Sequence, residues 1–209
     1  MALDSTVKTE VIKKIEEYEG RVEHLYLDTK GKVTVGVGHL VKNKAAMASV
    51  KMYTVNNKLP DKLADKATKE TEYDTVAKQT KGKLASYYKK HTTLVMKKVD
   101  IDAQRDKHIE SFYTELTNIY KKSKGYPDDF DKLPKEVQKA LFDMIFNLGA
   151  TKIVSVFKNF DKAVKAGDWS KAATESKRTG IQSTRNEYVR KLFEAAAKAK
   201  KAKSAATSK

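Results

Sequence analysis

The first hydrophobic pattern along the chain is a helical one. Between Thr6 and Glu19, apolar residues recur three and four positions apart, and Gly20 follows directly as a stop signal. The residues of this stripe are Val7, Val11, Ile12 and Ile15. The spacing predicts an amphipathic helix over 6–19 that ends at Glu19.

A period of two replaces the helical period after Gly20. The segments Leu25–Asp28 and Lys32–Val37 flank Thr29-Lys30-Gly31, and the second segment alternates valine with threonine or glycine. This pattern predicts a β-hairpin with two chemically different faces. Thr34 shares its face with Gly36 and Gly38, where a substrate or a water molecule could approach closely, although a bulge or a twisted edge would also explain the glycines.

From Met47 to Tyr120 the chain is rich in charge, with thinly spaced apolar residues and interruptions at Pro60 and Gly82. This composition favours helices. Next, Leu133-Pro134 opens a segment with a broad apolar stripe that ends at Gly149. The later helices are expected over Val154–Ala166, Trp169–Lys177 and Arg185–Ala197, with breaks at Gly167-Asp168 and Gly180.

The last residues, 198–209, consist of Ala, Lys, Ser and Thr, and we expect a disordered basic tail there. The fold class indicated is α+β, mostly α, with a small hairpin lobe and a larger helical lobe. The expected segments are 1–62 with the first helix and hairpin, 63–99 with inserted helices, 100–197 with the helical lobe, and 198–209 with the tail.

Composition narrows the function classes. The chain of 209 residues has no cysteine, which excludes disulfides, thiolate metal sites and cysteine nucleophiles. Its apolar runs are too short to span a bilayer, so no membrane insertion is expected. The start, Met1 to Thr6, has neither a basic segment nor an apolar core, so a standard signal peptide is not expected. The net charge of +16 attracts polyanions such as nucleic acid, anionic membranes or cell wall.

Glu19 is the first candidate for chemistry. It continues the row Val7, Val11, Ile15, so its carboxylate projects from the apolar stripe. The helix C-terminus and desolvation both disfavour the charged form, and a protonated carboxyl is what a general acid requires. A solvated helix end beside Glu16 and Glu17 is the alternative interpretation.

Asp28 lies at the edge of the hairpin turn, where aspartate is common for local hydrogen bonding alone. Together with Glu19 it could bracket a sugar, one carboxyl acting as acid and the other as base or electrostatic stabiliser.

Other site classes fit the residues less well. His39 has no metal-ligand spacing to His24, His91 or His108, which favours a structural or site-supporting role and no metal. The aspartates at 128, 129 and 131 lack the glycine and glutamate of a calcium loop, and Val41 occupies the third glycine position of a dinucleotide fingerprint. A Gly-x-Ser-x-Gly elbow is absent from the sequence.

A longer motif joins these candidates. Its residues are Glu19-Gly20, Tyr26, Asp28, Gly31, Thr34, Gly36, Gly38 and His39, and in this order and spacing they resemble the catalytic signature of the bacteriophage-type lysozyme family. The resemblance covers roughly 6–60 and 130–195, and it leaves a stretch around 65–99 that looks like an insertion.

The resemblance implies a two-lobed muramidase with its cleft between the lobes, which cleaves peptidoglycan between N-acetylmuramic acid and N-acetylglucosamine without a cofactor. It makes Glu19 the proton donor, Asp28 the second carboxylate and Thr34 a residue that holds the attacking water. Such an inverting mechanism needs carboxyl groups about 6.5–9.5 Å apart.

The resemblance also implies substrate-side residues. Phe146 falls at an aromatic cleft position, Leu40 and His39 follow the hairpin, and Arg185 corresponds to an arginine that approaches the catalytic glutamate. In contrast, Phe160 and Glu175 stand where relatives often have small polar or amide groups for sugar contacts.

The expected partners are peptidoglycan glycan strands, and the expected state is a monomer. The enzyme would be made in the cytoplasm and act in the periplasm, either as a phage endolysin or as a secreted antibacterial effector with an acidic immunity protein. The alternative class is a non-catalytic module that binds glycan or nucleic acid. Because neither an arginine-rich recognition helix nor an aromatic platform is visible, no specific nucleic acid is expected.

Overall fold

A computed structural model of the chain describes residues 2–207. The fold is α+β and mostly helical, with two small antiparallel sheets in the described residues, as predicted. The chain divides into two compact units. We call Glu16–His108 the hairpin unit, and Met1–Ile15 with Ile109–Lys209 the helical unit. This division differs from the predicted segments, because the insertion at 63–99 belongs to the hairpin unit and most of the first helix belongs to the helical unit.

The first helix, α1, spans Ser5–Glu19 and confirms the helical pattern. Asp4 caps it, since its Oδ1 accepts hydrogen bonds from the backbone N–H groups of Thr6 at 2.9 Å and Val7 at 3.1 Å. Its apolar row is buried, and the helix stops at Gly20, whose φ of +73° favours glycine. The stop places Glu19 in the last turn.

The predicted hairpin forms and gains a third strand. Strands β1 (Val22–Leu27), β2 (Val33–Gly36) and β3 (His39–Leu40) pair antiparallel in that order. Leu25, Val33 and Val35 are buried and supply the apolar core beneath the sheet. The two-residue strand β3 lacked a pattern long enough to be predicted.

The structure corrects the expectation of helices throughout 47–120. A second sheet in the order β5-β4-β6 lies there, formed by β4 (Tyr53–Asn56), β5 (Leu59–Leu63) and β6 (Leu94–Val95). The first three residues of β4, Tyr53, Thr54 and Val55, are aromatic or β-branched, which favours strand. The β4–β5 turn uses Asn57 and Lys58, both with positive φ, in place of an Asn-Gly signal.

Two helices, α2 (Lys66–Ala77) and α3 (Ala85–Tyr88), follow β5 in the chain and precede β6. Two buried charged side chains anchor α2. The Lys69 ammonium donates to the carbonyls of Ala48 at 2.9 Å and Val50 at 3.0 Å, and Glu72 Oε2 accepts from the Thr93 and Leu94 backbone. Burial raises the pKa of Glu72. The Lys69 bonds tie the insertion to the rest of the hairpin unit, and the Glu72 bonds join α2 to the end of the insertion.

The remaining helices are α4 (Lys98–Ile119), α5 (Lys135–Ser155), α6 (Lys158–Lys165), α7 (Trp169–Glu175) and α8 (Ser183–Thr207). The division between the units falls inside α4. Gly149 has φ 75° and ψ 159° and kinks α5, so the predicted helix end is a break after which helix resumes to Ser155. Leu141, Phe142 and Ile145 of α5 are fully buried.

Phe160 belongs to the core of the helical unit. It is 1% exposed, and its ring centroid lies 5.5 Å from that of Phe193. The Phe160 side chain therefore packs in the core and is not exposed for a sugar contact. Glu175 forms an ion pair with Lys171 at 3.0 Å, one turn earlier in α7.

The predicted disordered tail is helical as far as Thr207, while 208–209 lie outside the described residues. Alanine and lysine are strong helix formers, and the buried segment around Val189 and Phe193 supplies a helix that they extend. The Lys200 ammonium also donates to the Gly167 carbonyl at 2.8 Å.

Within residues 2–207, a search for membrane-spanning helices finds no single helix that is long and apolar enough. The pair α5 and α6 meets the criteria only together and is bent by 86°.

Candidate active site

Glu19 is half-buried at the end of α1 and rests against the hairpin backbone. A Cβ atom added at Gly38 would lie 3.0 Å from Glu19 Oε2, and Gly38 has a φ of +64°. A side chain at position 38 would therefore crowd the carboxylate as well as strain the backbone. This contact joins the C-terminus of the helix to the loop between β2 and β3.

A Cβ at Gly36 would lie 2.8 Å from Gln104 Oε1 of α4. The space beside both glycines is thus filled by side chains of the protein itself. The expectation that a substrate or a water could approach there is corrected: the glycines admit Glu19 and Gln104.

Asp28 closes the β1–β2 turn through one of its two carboxylate oxygens. Its Oδ1 accepts hydrogen bonds from the backbone N–H groups of Lys30 and Lys32, each at 2.8 Å. The Asp28 N–H donates in turn to the Lys32 carbonyl at 2.9 Å. These bonds hold the orientation of the carboxylate. Within residues 2–207, Oδ2 makes no hydrogen bond, so it is available to accept one.

The Thr34 hydroxyl is tied to the same turn. Thr34 is 3% exposed, and its Oγ1 donates to the Lys32 carbonyl at 3.0 Å. The Lys32 carbonyl therefore accepts from both the Asp28 backbone and the Thr34 side chain. Because the hydroxyl proton is used in this way, Oγ1 is left with lone pairs that can accept a hydrogen bond.

The sheet register places three side chains in one row across the hairpin. Thr34 pairs with Tyr26 of β1 on one side and with Leu40 of β3 on the other. Directly paired residues project to the same face of a sheet, so Tyr26, Thr34 and Leu40 are neighbours there. Leu40 is 45% exposed and offers an apolar contact at the end of the row.

Tyr26 is electrostatically coupled to both candidate carboxylates. Burial, then the charge of Glu19, then the charge of Asp28 raise its pKa to about 12. A negative charge acts in this way on a phenol in its vicinity, because it disfavours a second anion. The two carboxyl groups therefore act on one hydroxyl.

His39 lies on the other face of the sheet, since it pairs with the buried Val35. Its Nδ1 and the Nε2 of His108 are joined by a hydrogen bond of 3.0 Å, and the two rings stack with centroids 4.9 Å apart. Burial and the neighbouring His108 lower the pKa of His39 to about 4, and burial lowers that of His108. This arrangement favours the site-supporting role over contact with substrate. His108 is distant in sequence, so no local pattern pointed to the pair.

Phe146 and Arg185 come together in the helical unit. The Arg185 guanidinium lies over the Phe146 ring, 5.8 Å from its centroid, and its Nε donates to Asp143 Oδ2 at 2.8 Å. Asp143 Oδ1 accepts from Arg178 Nη1 at 2.6 Å, and that nitrogen also donates to Asn147. Asp143, Arg178 and Arg185 are all buried.

Sequence reasoning missed this Arg178–Asp143–Arg185 cluster. A signal was present, because Asp143 stands among the apolar residues of the α5 stripe, in the same way that Glu19 stands on the stripe of α1. Within residues 2–207, no three histidine or carboxylate side chains lie together in a way that could hold a metal ion.

Comparison with known proteins yields a distant similarity. The chain is 25% identical, over 160 residues, to a protein named Probable T4-type lysozyme 2 from Dictyostelium discoideum, and the match covers 76% of each chain. No family model matches the chain. The similarity weakly supports a relationship to lysozymes, which agrees with the resemblance of the Glu19–His39 segment.

Proposed function

We propose that the protein is a muramidase, which hydrolyses the β-1,4 bond between N-acetylmuramic acid and N-acetylglucosamine in peptidoglycan. One observation carries the proposal. The loop that packs Gly38 against Glu19 belongs to the same hairpin whose turn orients Asp28 and Thr34 through Lys32. Two carboxyl groups and a polar group for water are what glycoside hydrolysis needs.

In the proposed mechanism, Glu19 donates its proton to the glycosidic oxygen as the bond from that oxygen to the anomeric carbon breaks. Asp28 accepts a proton from the water that attacks the same carbon from the opposite side, which inverts its configuration. Thr34 Oγ1, whose own proton is held by Lys32, accepts the other proton of the water in a hydrogen bond.

The helical unit would contribute substrate contacts and charge. Phe146 is half-buried, with a ring that a sugar can stack on. Arg185, whose guanidinium is oriented by Asp143, is the second candidate for a substrate contact in this unit. The net charge of +16 favours association with the anionic wall. Release as an endolysin or delivery as an effector, with an acidic immunity protein, belongs to the same proposal.

The test is digestion of purified Gram-negative peptidoglycan, followed by reduction and mass spectrometry of the released fragments. The wild type is expected to create new muramic acid reducing ends. Glu19→Gln, which keeps the size of the side chain but cannot donate the proton, should lower the rate by about 10³-fold or more.

Retention of the wild-type rate by Glu19→Gln would contradict the assignment of the acid. Binding to the wall without any fragment release by the wild type would favour the non-catalytic glycan-binding module.

A further inference from the structure

Tyr26 carries a hydroxyl group that the protein does not use within residues 2–207. The side chain is half-buried on β1, beside Thr34 in the row across the sheet. Half-buried tyrosine hydroxyls usually have a hydrogen-bond partner. In the part of the chain that the structure describes, the Tyr26 hydroxyl has none, and the charges of Glu19 and Asp28 both act on it.

The hydroxyl is a donor at every pH at which the enzyme would work. Burial and the charges of Glu19 and Asp28 raise the pKa of Tyr26 to about 12, so the phenol stays neutral. A neutral phenol near two carboxyl groups offers a proton for a hydrogen bond without adding charge.

The groups around it are acceptors. Asp28 Oδ1 already accepts two backbone N–H groups, which leaves Oδ2 to accept from a ligand. Thr34 Oγ1 gives its proton to Lys32 and can accept in turn. The hairpin thus presents two acceptors and one donor.

We propose that the Tyr26 hydroxyl donates a hydrogen bond to the attacking water, whose two protons are accepted by Asp28 Oδ2 and Thr34 Oγ1. A water molecule has two protons and two lone pairs. With three directions occupied by the hairpin, the remaining lone pair points at the anomeric carbon. Tyr26 therefore orients the nucleophile, and the inference rests on the proposed hydrolysis.

The chemical balance is that of the proposed reaction. The water oxygen forms its bond to the anomeric carbon, the glycosidic bond breaks, one water proton passes to Asp28, and the proton of Glu19 passes to the leaving oxygen. The Tyr26 hydroxyl keeps its proton throughout.

The first test is Tyr26→Phe with soluble, uncrosslinked glycan strands as substrate. Loss of the donor is expected to lower kcat by about 10- to 100-fold with KM within about twofold of wild type, because the water is misplaced while the glycan still binds. Tyr87→Phe is the matched control. Tyr87 is half-buried in the same unit, and its hydroxyl has no hydrogen bond in residues 2–207. The Tyr87→Phe variant should retain the wild-type kcat and KM.

A double-mutant cycle with Thr34→Val provides a readout that a structural role would not change. If both groups hold one water, removal of the second costs less than removal of the first, and the double variant is more active than the product of the two losses predicts. Circular dichroism and thermal unfolding establish that the variants are folded.

The outcomes separate the two proposals. An inactive wild type would overturn the muramidase and this inference together. An active wild type would leave the muramidase standing, and the inference alone would be overturned by wild-type kcat in Tyr26→Phe, by a change confined to KM, or by strictly multiplicative losses in the cycle.

Discussion

At the scale of single residues, Gly38 sets the position of the proposed acid. Its φ of +64° lies in the left-handed region, and Glu19 Oε2 fills the place where a side chain would begin. The Glu-Gly and Gly-x-Gly-His pattern could be recognised in the sequence, but the reason for Gly38 could not, because the contact joins a helix end to a loop after the second strand.

We expect Gly38→Ala to lower both stability and activity. The left-handed backbone costs alanine about 1–2 kcal/mol, and the new methyl group displaces the Glu19 carboxylate, which should reduce activity by about 10-fold or more. Urea unfolding and glycan hydrolysis measure the two effects. Gly82→Ala is the control, because Gly82 has a φ of +79° and nothing within 4 Å of the added Cβ. Gly82→Ala should lose stability and keep its activity. Equal activities of Gly38→Ala and Gly82→Ala would argue against the close contact between Gly38 and Glu19.

At the scale of elements, most helices followed from their apolar period, and the hairpin followed from its alternation. The sheet formed by β4, β5 and β6 could not be predicted from a local pattern, because β6 has two residues and pairs with β4 across a long sequence separation. The extension of α8 to Thr207 was missed because low complexity was read as disorder, although Ala and Lys favour helix once a buried segment has nucleated it.

Asp143 is expected to stabilise α5 against the start of α8. Asp143→Ala would leave Arg178 and Arg185 without their buried carboxylate, and the loss of such a partner costs about 3–5 kcal/mol. Urea unfolding measures this loss. Glu187→Ala is the control, since it breaks an exposed pair with Arg190 on α8 and should change stability little. Similar stabilities for both variants would contradict the buried role.

The His39–His108 pair predicts a loss of stability in acid. In the unfolded chain a histidine has a pKa of about 6.5, while burial and His108 lower that of His39 to about 4 in the folded protein. As the pH falls from 6.5 to 4, the unfolded state binds the proton first, so the free energy of unfolding decreases. Above pH 6.5 the pair does not make the free energy of unfolding depend on pH.

Thermal or urea unfolding between pH 7 and pH 4 tests this sign. His39→Gln should reduce the change of the free energy of unfolding between pH 7 and pH 4. His24→Gln serves as the control, because His24 bonds to the Ala85 carbonyl and has no contact of this kind with a second histidine. An unchanged slope in His39→Gln would assign the dependence to other groups.

At the scale of the whole molecule, excess positive charge is the property that acts at long range. The chain carries 43 lysine and arginine residues against 27 aspartate and glutamate residues, and several of the lysines lie on the exposed end of α8. Charge of one sign could be read from composition, although it does not by itself distinguish the wall from other polyanions.

We expect association with intact peptidoglycan to weaken steeply as sodium chloride rises from about 50 to 300 mM, because salt screens exposed charges. Hydrolysis of short, soluble oligomers of alternating N-acetylmuramic acid and N-acetylglucosamine, which carry far less charge than the wall, should depend much less on salt over this range. Pelleting with insoluble wall and a soluble-substrate assay measure the two. Equal salt dependence in both assays would mean that salt acts on catalysis and not on association with the wall.

The most direct test of the account is the configuration of the first product. Proton NMR of a soluble β-1,4 glycan during early hydrolysis shows which anomer forms before mutarotation. Attack by a water held at Asp28, Thr34 and Tyr26, with Glu19 as the acid, predicts the α anomer. Initial formation of the β anomer would mean that a group of the protein or of the substrate, and not a water molecule, attacks the sugar first. That result would contradict the arrangement, as would the absence of hydrolysis.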